Sequence, residues 1–434
     1  MAITIDGADN KLEIGANATG PSSLRLYEDT DNGTNYVSII APSAVTSNRT
    51  ITLPDATGTL VTNSGSEAGA FSTLAVNSNN ISAENSLGFR NRIINGDMRI
   101  DQRNAGASYT QTGAAGQYSL DRWNVSGDIT SKFSVQQNAG SVTPPTGFTN
   151  YLGATSLSAY SVPVSEAYII RQQIEGFNVA DLAWGTASAK TVTLSFWVRS
   201  SLTGTFGGVL KNSGNNRSYP FTYTISAANT WEQETVTIAG DTSGTWLTNN
   251  GIGLMVIFSL GSGSSVSGTA GAWAASSLFS ATGAVSVVGT NAATWYITGV
   301  QLEVGSVATP FERRDYGREL ILCQRYYQKV LPAASSVNFA SGFCSTTTSS
   351  RYVLHMITEM RAAPTALETT GTAADYTVNY VASATACSSV PAFATASKVA
   401  INFSADVASG FTAGVGALLR TANASAYLAW SAEL

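Results

Sequence analysis

Thr191-Val192-Thr193-Leu194-Ser195-Phe196-Trp197-Val198-Arg199 is the stretch that decides the fold. Its apolar residues alternate with period two, which puts Val192, Leu194, Phe196 and Val198 on one face and Thr193, Ser195 and Trp197 on the other, the pattern of a strand packed on a core. The device recurs on both sides. Tyr219, Phe221, Tyr223 and Ile225 repeat it, as do Ile252, Leu254, Val256, Phe258 and Leu260, and then Tyr296, Thr298, Val300, Leu302 and Val304. With Gly, Asn and Ser turns between such strands, residues 91–312 predict an antiparallel two-sheet sandwich of the jelly-roll kind.

Toward the N-terminus, Ile3 and Ile5, Leu12 and Ile14, Leu24 and Leu26, Val37 and Ile39, and Ile51 and Leu53 form alternating pairs. Asp31-Asn32-Gly33 and Pro54-Asp55-Ala56-Thr57-Gly58 supply the turns between them. Residues 1–62 thus read as a small five-stranded β domain, too small to hide much of its surface without copies or a partner. Residues 63–90 lose the pattern and read as a linker. Beyond the sandwich, Tyr316, Leu320, Cys323, Tyr327 and Val330 fall at steps of four and three, which predicts a helix over Asp315 to Val330, within 313–331, stopped by Pro332. The stripe suits packing on a sheet of its own chain, or a helix where copies meet near a symmetry axis. Residues 332–434 return to β. Tyr352, Leu354, Met356 and Thr358 alternate there with Val353, His355, Ile357 and Glu359, and the terminal Ala426 to Leu434 reads as a docked strand. The whole is an all-β protein with one short helix.

Composition narrows the partners. Only 12% of the 434 residues are charged, about half the share usual in globular proteins, and the net charge is −5 with 44% hydrophobic residues. No basic run exceeds Arg313-Arg314, which disfavours nucleic acid. The apolar run Ile252 to Leu260 is far too short to span a membrane. The opening MAITIDGADNK has no secretory character, so a chain made and kept in a cytoplasm, or assembled there, is expected. Cys323, Cys344 and Cys387 are too few and too widely spaced for a disulfide framework or a metal motif, and read as small buried hydrophobes.

Catalysis finds little support. His355 is the lone histidine, in a run that alternates like a strand, so no histidine-based triad or metal cluster can be built with redundancy. No glycine-rich phosphate loop precedes a helix, and no cofactor is implied. A pair of carboxylates would suffice for glycoside hydrolysis. The candidates Asp97, Asp101, Asp121, Glu166, Glu175 and Asp181 are better explained as turn formers or partners of Arg99, Arg103, Arg122 and Arg171, and a non-enzyme is expected. Binding fits better. Of eight tryptophans, Trp197, Trp231 and Trp295 read as core, while Trp184, Trp246 and Trp273 lie beside Gly, Ser or Thr and are candidate platforms for a sugar ring.

Several strings carry a resemblance. The segment from Asn91 to Arg103, NRIINGDMRIDQR, followed by Tyr118-Ser119-Leu120-Asp121-Arg122-Trp123, resembles the opening of a domain common in bacteriophage tail fibre and receptor-binding proteins. Val300 to Arg314, VQLEVGSVATPFERR, with Cys323-Gln324-Arg325-Tyr326-Tyr327, resembles its close; Asn35 to Pro42, Thr50 to Pro54, Glu359 to Thr365 and Ser431 to Leu434 are similar to other parts of such proteins. Leu194 to Ser200 and Trp231 to Ile238 resemble carbohydrate-binding modules of the jelly-roll kind. The resemblance implies a homotrimeric virion component whose N-terminal domain joins tail or baseplate proteins and whose other domains adsorb to bacterial surface glycan without cleaving it. A tailspike-like depolymerase is the alternative, and an architectural head fibre, decoration or adaptor protein a third. On the second reading of the stripe, Tyr316, Leu320, Cys323, Tyr327 and Val330 are the candidate contacts between copies. No long heptad tract or collagen-like shaft is present, so any fibre would be short.

Overall fold

The computed structural model describes residues 90–434 apart from 382, together with six short strands nearer the N-terminus. In the unit formed by residues 1–72, β1 (Ile3–Asp6) pairs antiparallel with β2 (Lys11–Ile14), and β3 (Ser23–Tyr27) with β4 (Tyr36–Ile40). The fifth predicted strand, at Ile51 and Leu53, lies outside the described residues. Within the predicted linker, β5 (Leu74–Val76) and β6 (Asn79–Ile81) form a further hairpin, so that stretch is not purely a linker.

Residues 73–434 form one compact unit. Its sandwich begins with β7 (Tyr109–Thr110), β8 (Gln117–Leu120), β9 (Trp123–Gly127), β10 (Phe133–Gln137), β11 (Leu152–Ser156) and β12 (Ala167–Glu175). It continues with β13 (Val192–Ser200), β14 (Gly204–Lys211), β15 (Ser218–Ile225), β16 (Glu232–Ile238) and β17 (Ile252–Ser262). After the short parallel pair β18 (Ser267–Gly268) and β19 (Ser280–Ala281), β20 (Thr294–Val304) completes it. One six-stranded sheet runs β16-β13-β20-β11-β10-β7 and the other β15-β14-β17-β12-β9-β8, each antiparallel throughout. Between them lie Trp123, Phe133, Phe196, Phe258, Trp295 and Leu302, which exclude water from the sandwich centre.

The alternation predicts the inward faces of β13 and β15 correctly, and that of β17 from Leu254 onward; Ile252, beside a slip in the β12 pairing, packs with Met255 and Ile257 on the other face. In β20 it holds only from Val300 onward. Before that point Trp295 and Ile297 face the core instead of Tyr296 and Thr298, because a bulge slips the β13 pairing between Ser195 and Trp197. Gly299 sits in the slip at a φ of +62°, a conformation that costs glycine least. Trp197 and Trp231 are half-buried at the surface, and only Trp295 of the three predicted core indoles is central.

The helix is shorter than its stripe predicts. Helix α1 spans Tyr316–Gln324, capped by the Asp315 carboxylate, which accepts the Arg318 N–H at 2.9 Å. Tyr327 and Val330 lie in a strand, β21 (Tyr327–Val330), paired with β29 (Leu428–Ser431) at the far end of the chain. Cys323 and Tyr327, two of the stripe residues offered as contacts between copies, are buried inside this chain. Leu320 and Val330 are half-buried, and Tyr316 alone of the five is exposed. All three cysteines are buried free thiols.

The C-terminal sheet consists of β22 (Asn338–Cys344), β23 (Ser349–His355), β24 (Tyr376–Tyr380), β25 (Ser383–Ala386), β26 (Ala392–Ala396), β27 (Ala400–Asp406) and β28 (Gly416–Thr421). Its order is β25-β24-β28-β22-β23-β27-β26. One face packs Tyr352, Phe403, Leu419 and Tyr376 against Leu428 and Trp430, and the other stays open.

What fixes this sheet to the sandwich is a buried polar junction, to which six segments contribute: 91–103, 118–123, 300–314, 323–327, 359–365 and 431–434. The Glu433 carboxylate bonds Arg122, and Arg103 lies 3.3 Å away. The Arg122 guanidinium also donates to the Gln173 carbonyl and lies 3.6 Å from the centre of the Tyr326 ring. Arg325 grips Glu175 through two bonds of 2.9 and 2.7 Å, and the Tyr326 hydroxyl donates to the same carboxylate at 2.6 Å. Arg361 donates to the carbonyls of Ala432, Glu433 and Asn250. Trp123 Nε1 donates to the Asn95 carbonyl, and Arg314 to that of Ile93.

Arg122 is 1% exposed, and a buried charge that loses its partner costs about 3–5 kcal/mol. Glu433→Ala is therefore expected to destabilise residues 73–434 by that amount in urea unfolding, and a loss below about 1 kcal/mol would show the pair to be dispensable. A second expectation concerns pH. Burial pushes the Asp121 carboxyl up to about 7, against the pull of two bonds from Gln102. Because the folded group holds its proton where the unfolded one, near 3.8, has lost it, this site makes stability fall as pH rises from about 4 to 7. Asp121→Asn should flatten that part of the melting-temperature profile; an unchanged slope would mean the group is ionised throughout.

Candidate functional site

The three tryptophans picked out as sugar platforms come together, but not as platforms. Trp184 and Trp246 meet edge to face at 4.8 Å between ring centres, Trp184 and Trp273 at 5.3 Å, and Trp246 and Trp273 at 5.4 Å. Trp184 is buried and the other two half-buried against the sandwich core. Each indole N–H is already used, donating to the carbonyls of Lys190, Ser243 and Ala239 respectively. The cavity beside Trp184 and Trp246 measures about 30 Å³, room for one water and none for a sugar. Rings that meet edge to face in this way extend the apolar core of the sandwich. Trp184→Ala should cost about 3–5 kcal/mol of folding stability, read by denaturant titration; a loss under 1 kcal/mol would show the cluster to be loosely packed.

The six candidate carboxylates are each engaged. Asp97 pairs with Arg99 at 2.5 Å and Asp181 with Arg92 at 2.7 Å. Asp101 caps the turn by accepting the Asn104 and Gly106 N–H groups, and Asp121 accepts from Gln102. Glu166 accepts the hydroxyls of Tyr160 and Tyr168, and Glu175 is held by Arg325 and Tyr326. Burial raises the Glu175 carboxyl, yet these bonds outweigh it and hold the group below its ordinary range, hence ionised. Arg103 and Arg122 pair with Glu433, which the sequence did not single out, and Arg171 donates to Asn124.

An open groove lies on the free face of the C-terminal sheet. Its volume is about 510 Å³, and Phe343, Arg351, Val353, Thr395, Asn402 and Ser404 are among its walls. The register explains why these residues meet. Phe343 of β22 stands opposite Arg351 of β23, which stands opposite Ser404 of β27, so ring, guanidinium and hydroxyl form one row across three strands. The next row sets Val353 opposite Asn402 and Asn402 opposite Thr395, whose hydroxyl accepts an amide bond at 2.9 Å. Gly342 keeps the floor tight, since a Cβ there would stand 1.9 Å from the Arg351 carbonyl oxygen. Phe343 is 50% exposed, a large aromatic surface left uncovered beside donors and acceptors.

A second depression, of about 560 Å³, is lined by Tyr160, Val162, Ser262, Ser286 and Gly289 on the sandwich. Its aromatic ring is already occupied, with Lys132 Nζ 4.1 Å from the Tyr160 ring centre and the Tyr160 hydroxyl bonded to Glu166. The C-terminal groove is the better candidate because its ring and its cation are both unengaged. Sequence reasoning missed Phe343. Period two marks it as facing away from Cys344, while the irregularity between Asn338 and Ala340 turns Phe339, which shares its parity, inward; nothing local says that the face of Phe343 goes uncovered.

No family model matches the chain, and no curated protein matches it. Among solved structures, the chain is similar to the enzymatically active domain of tailspike protein 4 from bacteriophage CBA120, at 13% identity and a TM-score of 0.24. That match takes in 42% of this chain and spans only 19% of the tailspike structure's own length. A CBM4 structure is similar at 16% identity and a TM-score of 0.25, over 49% of this chain and 98% of that one. TmCBM61, solved with β-1,4-galactotriose, is similar at 13% identity and a TM-score of 0.26, over 50% of this chain and 100% of that one.

Proposed function

We propose that the chain is a phage virion structural protein, a tail fibre or receptor-binding protein, that adsorbs to bacterial surface glycan through the groove on its C-terminal sheet and does not cleave it. The observation that carries this reading is the row Phe343, Arg351 and Ser404 on an open sheet face. The C–H face of a pyranose stacks on an aromatic ring, while hydroxyls and amides bond its rim. The low charge of the chain suits contact with a hydrated polysaccharide. Non-cleavage is supported by the engagement of the six candidate carboxylates in turns and ion pairs, and by the absence of any carboxylate from the groove's walls. On this reading three copies assemble, and the residues 1–62 attach to tail or baseplate proteins. Three weak sites on one particle gain avidity through effective concentration.

The test is a titration of envelope polysaccharide from a susceptible host into the full chain and into Phe343→Ala. The variant is expected to lose at least tenfold in affinity with an unchanged melting temperature, because half of the ring is already in solvent. Equal affinity would reject the groove. New reducing ends in the same mixture would reject non-cleavage in favour of a depolymerase. Light scattering is expected to give three times the single-chain mass of 45.1 kDa, and a monomer at micromolar concentration would contradict the trimer.

A further inference from the structure

Resting on the glycan reading of this groove, we propose that its ligand is an acidic saccharide, whose carboxylate pairs with Arg351 while the sugar ring lies on Phe343. Arg351 is the one charged residue among the groove's walls. It is exposed and, among the described residues, neither an ion pair nor a side-chain hydrogen bond engages its guanidinium. This sets it apart from Arg103, Arg122, Arg217, Arg314 and Arg325, all held by carboxylates. Asp406 on the same face lies one row further along, opposite Ser349, and makes no ion pair with it.

The spacing suits a uronic acid. Cross-strand neighbours stand roughly 4.5–5.5 Å apart at Cβ, so the guanidinium flanks the ring that a sugar would cover. A uronate carries its carboxylate on the carbon next to the ring oxygen, at the rim of the stacked face. The planar fork of arginine matches a carboxylate through two parallel N–H bonds. Ser404, Asn402 and Thr395 then face the sugar hydroxyls on the side away from Phe343. A neutral glycan would use the ring and hydroxyls alike but would leave the cation without a partner.

The experiment uses two forms of one host envelope polysaccharide, native and with its carboxylates reduced to primary alcohols after carbodiimide activation, titrated into the full chain and into Arg351→Gln, Arg351→Lys and Phe343→Ala. The proposal expects wild type to bind the native form at least tenfold more tightly than the reduced form. Arg351→Gln should bind both forms equally, at the affinity of wild type for the reduced one, and Arg351→Lys should fall between. Melting temperatures should not change, since the side chain has no folded partner to lose. If wild type and Arg351→Gln bind both forms equally while Phe343→Ala still weakens binding, the acidic ligand is rejected and the glycan site stands. If neither form binds, or Phe343→Ala has no effect, the glycan reading itself fails.

Discussion

A charge taken out of water must find its counter-charge, and in this protein that requirement ties the last residues of the chain to the first strands of the sandwich. Arg122 lies in the middle of the junction with Glu433 as its acid, Tyr326 against its cationic plane and the Gln173 carbonyl as a further acceptor. The Gln173 contact lies within the sandwich, whereas Tyr326 follows α1 and Glu433 follows β29, so the full set forms only when all of these segments are in place. Such pairs contribute less to net stability than to the choice of one arrangement, because desolvation offsets much of their attraction. The junction also explains why segments such as Asn91 to Arg103, Tyr118 to Trp123 and Glu359 to Thr365 are rich in Arg, Asp, Glu and Asn in a chain otherwise poor in charge. They are the buried contacts that set the C-terminal sheet at a defined place on the sandwich.

Held in this way, the C-terminal sheet has only one face to bury. Tyr352, Phe403 and Leu419 take that face, and period two sends Phe343, Arg351 and Val353 to the other. A one-residue slip in β23 would exchange the two sets, burying a guanidinium and exposing a tyrosine. The open groove is therefore a consequence of the same register that builds the core, and its chemistry is set by four adjacent strands and not by a loop.

The sandwich was legible in the sequence because half-buried strands repeat every two residues over long runs such as Thr191 to Arg199. What escaped were features that depend on distant parts of the chain. The bulge at Gly299 reverses the face of β20 midway, and a single glycine in a strand does not announce which way the slip runs. Tyr327 and Val330 keep helical spacing with Cys323 by coincidence, while their strand partner lies a hundred residues on in β29. Small neighbours marked out Trp184, Trp246 and Trp273, but such neighbours let indoles pack on one another as readily as on a sugar. At the groove, the alternation around Phe343 was visible and the vacancy of its face was not, since burial is decided by what the rest of the fold places above a sheet.

The central claim is that ligand meets this protein on the free face of the C-terminal sheet. Hydrogen–deuterium exchange of the full chain, with and without host envelope polysaccharide, tests it most directly. The account predicts added protection confined to β22, β23, β27 and β26 around Phe343, Arg351, Ser404 and Thr395. Protection around Trp184, Trp246 and Trp273 instead, or none anywhere in residues 338–406, would contradict it.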